Sequence, residues 1–134
     1  MANPNIAALT SIYGNTAYCV PSGTSATTSF TYNGTTSLTG MTPASGTVNK
    51  ITGIIVANTT ANATSATVAI GNNATFGSAT VTAYLAYTVA VPANASLIVA
   101  DKTNDIYITE NQSMAVTSST GSALTFLVTF EAIS

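Results

Sequence analysis

At 134 residues and 13.4 kDa, with 4% of residues charged against roughly 25% in an average soluble domain, the chain has room for one weakly charged domain. Its ionic groups are Lys50, Asp101, Lys102, Asp105, Glu110 and Glu131, a net charge of −2 that leaves no basic face to displace counterions from nucleic acid. A mean hydropathy of +0.41 argues against disorder, while the longest apolar run, Ala83 to Ala95, is broken by Thr88, Pro92 and Asn94 and falls short of the ~20 residues of a spanning helix.

In chain order, the first segment stands apart. Met1 to Asn15 holds Ile6, Leu9, Ile12 and Tyr13 without clean alternation, and has no basic or continuous apolar stretch of the secretory-signal kind. It reads as an N-terminal arm (1–15) that lies on a partner, because a free tail has little use for four large apolar side chains. Residues 16–134 read as one β-domain. Short runs of Thr, Val, Ile, Tyr and Phe predict strands at Thr16–Val20, Thr27–Tyr32, Thr35–Leu38, Val48–Ala57 and Ser65–Ile70. More follow at Thr80–Ala86, Thr88–Val91, Ser96–Ala100, Ile106–Thr109, Ser113–Thr117 and Ala123–Glu131. About eight to ten short strands with Gly, Pro, Asn and Ser between them predict an all-β, antiparallel β-sandwich, jelly-roll or Ig-like. No internal repeat of fixed period is visible.

Asn33-Gly34 between two β-rich arms is a hairpin signal, because both residues tolerate positive φ. Pro92 ends one strand, since it cannot donate to a ladder. In Leu124–Glu131, strict alternation puts Leu124, Phe126, Val128 and Phe130 on one face, predicted to be the core side. The predicted core also takes in Ile51, Ile54, Val56, Val68, Ile70, Val89, Val91, Leu97, Val99, Ile106, Ile108 and Val116.

Chemistry-bearing groups are scarce. There is no His to act as general base, and Cys19, the single cysteine, has no base to make it a thiolate and reads as a small buried hydrophobe. No catalytic residue, cofactor or enzymatic activity is therefore expected. Asp101 and Asp105 are the closest carboxylates and weak candidates for a Ca²⁺ loop, but Thr103 stands where a further acid is wanted. The plainer reading is a solvated hairpin tip. Asn-x-Ser/Thr triplets at Asn33, Asn58, Asn62, Asn73, Asn94 and Asn111 follow from the composition and carry no further meaning.

Four passages carry a resemblance: Lys50-Ile-Thr-Gly-Ile-Ile-Val-Ala-Asn58, Val89-Ala-Val-Pro92-Ala-Asn-Ala-Ser-Leu-Ile-Val-Ala100, Asn104-Asp-Ile-Tyr-Ile-Thr-Glu-Asn-Gln-Ser113 and Leu124-Thr-Phe-Leu-Val-Thr-Phe-Glu131. In this order they resemble small virion structural proteins of tailed bacteriophages, especially phages of cyanobacteria. That resemblance implies a β-sandwich located in the virion. Its implied partners are the major capsid protein or other virion proteins, with no nucleic acid and no membrane, and it brings no catalytic residues. The expected role is a capsid decoration (cement) protein acting as a homo-oligomer, trimer or dimer, with Ile6, Leu9, Ile12 and Tyr13 at the interface. The alternatives are a neck or tail component, or a receptor- or carbohydrate-binding module using Tyr84, Tyr87 and Tyr107.

Overall fold

The computed structural model describes residues 8–34, 36–79 and 82–134. The chain forms β1 (Ile12–Cys19), β2 (Ser29–Tyr32), β3 (Thr36–Thr39), β4 (Val48–Asn58) and β5 (Thr64–Gly71). It continues with β6 (Thr82–Val91), β7 (Ser96–Ala100), β8 (Ile106–Ile108), β9 (Ser113–Ser118) and β10 (Leu124–Ile133). All pairings are antiparallel. Seven strands make one sheet in the order β3-β2-β1-β10-β4-β7, with β8 pairing β4 beyond the end of β7; the other sheet is β6-β5-β9. The sheets pack face to face as an antiparallel β-sandwich.

The core follows from the strand period. Leu124, Phe126, Val128 and Phe130 all point inward from β10, as their alternation requires. They meet Ile54 and Val56 of β4, and across the sandwich Val68 of β5 and Met114 and Val116 of β9 join the same cluster. In β4 the inward set changes parity, from Asn49 and Ile51 to Ile54, Val56 and Asn58. A bulge causes the change: Thr129 opposes Gly53 while Phe130 opposes Ile51, so Thr52 is the extra residue. Gly53 lets the strands approach there: a Cβ on it would come within 2.8 Å of Thr129 Oγ1, so that hydroxyl would have to shift.

Three links hold the small sheet to the β2–β3 hairpin. Thr27 and Val116 exchange two backbone hydrogen bonds, and Met114 N–H donates to Gly40 O at 2.6 Å, while Gly40 N–H closes the hairpin itself by donating to Thr28 O. Gly40 has φ 63°, and a Cβ on it would lie 2.8 Å from Ser113 Cβ, so this crossing depends on glycine. The expected Asn33-Gly34 turn has both residues at positive φ, 52° and 80°. Asn58, buried at the end of β4, donates from Nδ2 to Asn62 O (2.8 Å) and Val91 O (3.0 Å), and its Oδ1 accepts from Thr60 N–H and Thr60 Oγ1. One amide thus ties the large sheet to the end of β6.

Several expectations need correction. Ile12 to Asn15 belong to β1, paired with Ile133 to Phe130 of β10, so the arm expected over 1–15 gives way to sheet at Ile12. Ladder hydrogen bonds and Ala132 and Ile133 as register partners override the missing alternation. Val89 is 37% exposed, because β6 is an edge strand with nothing beyond it to cover that side chain. Ile70, Leu97, Val99 and Ile106 are only partly buried against the core. Phe30, Met41 and Met114 are fully buried and complete it.

Candidate functional site

The residues singled out from sequence do not converge. Ile6 lies outside the described residues. Leu9 is half-buried, and Ile12 and Tyr13 are exposed at the start of β1. Asp101 accepts hydrogen bonds from the Thr103 N–H (2.8 Å) and hydroxyl, which hold its carboxyl below the usual carboxylate range. Asp105 instead pairs with Lys50 at 3.3 Å, and that hydrogen bond and charge raise the lysine's pKa. The two carboxylates are committed to separate local partners. Among the described residues no three His, Cys, Asp or Glu side chains gather as metal ligands. Cys19 is buried opposite Phe126, and desolvation pushes its thiol from 9.0 up to about 11, so it stays protonated at neutral pH. No helix among the described residues is long and apolar enough to cross a membrane.

What the fold does assemble lies on the outer faces of the two sheets. On the large sheet, Tyr18 opposes Leu127, Leu127 opposes Ile55, and Ile55 opposes Ile98. These side chains form one row across β1, β10, β4 and β7, about 14 Å long at the usual strand spacing. All four are exposed, Ile98 to 66%. The flanking rows are Thr16, Thr129 and Gly53 on one side and Thr125, Ala57 and Ser96 on the other. Charge begins only one row further out, where Glu131 opposes Lys50. The result is a surface whose central rows are uncharged, with an apolar stripe through it.

The small sheet carries a different feature. On its outer face Thr67 opposes Thr117 and Ala69 opposes Ala115, giving a floor of small side chains. Tyr84 and Tyr87 of β6 stand along one side, Ala26 along the other, and Phe76 at one end, around a groove of about 230 Å³. The tyrosine rings meet edge to face, 4.7 Å between centroids at 66°. In a regular strand, residues three apart point to opposite faces. Here the register of β6 on β5 slips twice: Leu85 is an extra residue between Ala86 and Tyr84, which brings Tyr87 to the same outward face as Tyr84, and a second slip sets Tyr87 and Thr88 opposite Thr67. Thr88 takes φ 47°, in the left-handed region, and its N–H donates to Thr67 Oγ1 at 2.9 Å. Tyr107 is on β8 of the other sheet, paired with Lys50, and takes no part.

Neither face could be read from sequence, because each depends on which distant strands become neighbours. The one local signal was at Tyr87: the break between predicted strands Thr80–Ala86 and Thr88–Val91 falls where β6 bulges. No family model, curated protein or solved structure matches the chain.

Proposed function

We propose that this protein is a structural subunit of a tailed-phage virion, a capsid decoration protein that stabilises the head by binding the major capsid protein lattice. The observation that carries the reading is the outer face of the large sheet, uncharged in its central rows, with Tyr18, Leu127, Ile55 and Ile98 in register across four strands. A contiguous exposed apolar stripe in a chain so poor in charge favours attachment to another protein surface. The resemblance of the four sequence passages to virion structural proteins points the same way. Contact is made by the sheet face together with the exposed Ile12, which shares the outward parity of Tyr18 on β1, and apolar burial supplies the affinity.

Electron microscopy of purified phage particles containing the protein tests this placement. The proposal expects one additional β-sandwich density at regular lattice positions on the head. Density confined to the neck or tail, or particles without the protein, would contradict it.

A further inference from the structure

We infer that the groove flanked on one side by Tyr84 and Tyr87 on the outer face of the small sheet is a binding site for one ring of a neutral saccharide. The site lies on the sheet opposite the proposed docking face and is independent of it.

Three observations carry the inference. First, the aromatic walls are open to solvent: Tyr84 is 55% and Tyr87 64% exposed, and they stand in contact rather than scattered. Paired tyrosines offer an apolar ring face with a hydroxyl at its edge, a match for a pyranose with C–H groups on one face and hydroxyls round its rim. Second, the floor is shaped for close approach. Ala69 and Ala115 leave the sheet backbone flat, while Thr67 and Thr117 add hydroxyls beside them. Thr67 Oγ1 already accepts from Thr88 N–H, which leaves its own proton to donate. Third, the two tyrosines share a face only because β6 is bulged at Leu85. Bulges that re-aim side chains in this way concentrate beside functional sites.

Size and charge select the ligand. The groove's 230 Å³ is below the roughly 300–1,000 Å³ of pockets for drug-sized molecules, so one sugar ring fits where a dinucleotide or haem does not. None of the lining residues is charged, which disfavours phosphorylated sugars, nucleotides and acidic glycans. Attachment to a neutral glycan, such as a host surface polysaccharide, would follow from repeated weak contacts of this kind on an assembly.

The test is an NMR titration of isotopically labelled protein with neutral methyl glycosides of glucose, galactose, mannose, rhamnose and N-acetylglucosamine. At least one should shift the amide resonances of Thr67, Ala69, Ala115 and Thr117 with millimolar affinity. Tyr87→Ala and Tyr84→Ala, both at exposed positions, should keep the melting temperature and weaken that binding by about ten-fold or more. Tyr107→Ala, an exposed tyrosine on the other sheet, should bind as the parent does. If no glycoside shifts those resonances, or if the shifts persist in both groove variants, the inference is wrong. It also fails if glucose 6-phosphate binds more tightly than the neutral sugars.

Discussion

Phe126→Ala is expected to destabilise the protein by about 3–5 kcal/mol, the usual loss for a fully buried aromatic in a core that cannot collapse round the cavity. Phe126 is completely inaccessible, in the first half of β10 between Cys19 on β1 and Val56 on β4, and belongs to the cluster that also holds Val68 and Val116 of the opposite sheet. Truncation therefore leaves a void bounded on three sides by ordered strands. For a chain of this size that corresponds to a drop in melting temperature of roughly 10–20 °C. Leu127→Ala, one residue along but facing outward, should cost under about 1 kcal/mol. Thermal unfolding of the two variants side by side checks both. Equal melting temperatures would contradict the assignment of faces in β10.

Asn58→Ala should be comparably damaging for a different reason. The Asn58 amide is almost wholly buried and satisfies Asn62 O and Val91 O as donor and Thr60 as acceptor. Alanine removes the side-chain donor from the buried Val91 O and from Asn62 O and the acceptor from Thr60, at about 1–3 kcal/mol for each group that water cannot reach. A total of about 2–4 kcal/mol is expected, because Thr60 and Asn62 lie nearer solvent than Val91. Asn58→Asp keeps the shape but cannot donate to either carbonyl, so it should fail to rescue. Urea unfolding measures this as a lower midpoint with unchanged slope in both variants. A midpoint equal to that of the parent would show that the amide does not tie β4 to β6.

The contrast between these two residues shows what could be read from sequence. Phe126 announces its position through strict alternation in β10, and β7 begins and ends where its residues predict, because such patterns are local. Asn58 announces nothing: as the start of Asn58-Thr-Thr it looks like a surface triplet, yet its partners at Asn62 and Val91 bury it. Ile12 and Tyr13 lack alternation and resemble an arm, but β10 supplies a ladder that takes them into the sheet. Val89 has the right parity for the core but sits on an edge strand. The two outer surfaces were least legible of all. The Tyr18–Ile98 row joins residues brought together by a strand order of β1-β10-β4-β7, and the tyrosine pair depends on a bulge at Leu85 that no simple period encodes.

On the proposed reading, the outer face of the large sheet is the surface by which the protein attaches to the head. The direct measurement is the occupancy of phage heads by the double variant Leu127→Asp/Ile98→Asp, compared with the parent at low and high salt. Both positions are exposed, so the variant should fold. Two carboxylates in an apolar contact should reduce affinity by at least about a hundred-fold, since each stranded charge costs about 1–3 kcal/mol or more. The parent should remain bound at high ionic strength, because screening acts on charges and this face has none in its central rows. Full occupancy by the double variant, or release of the parent by moderate salt, would contradict the account.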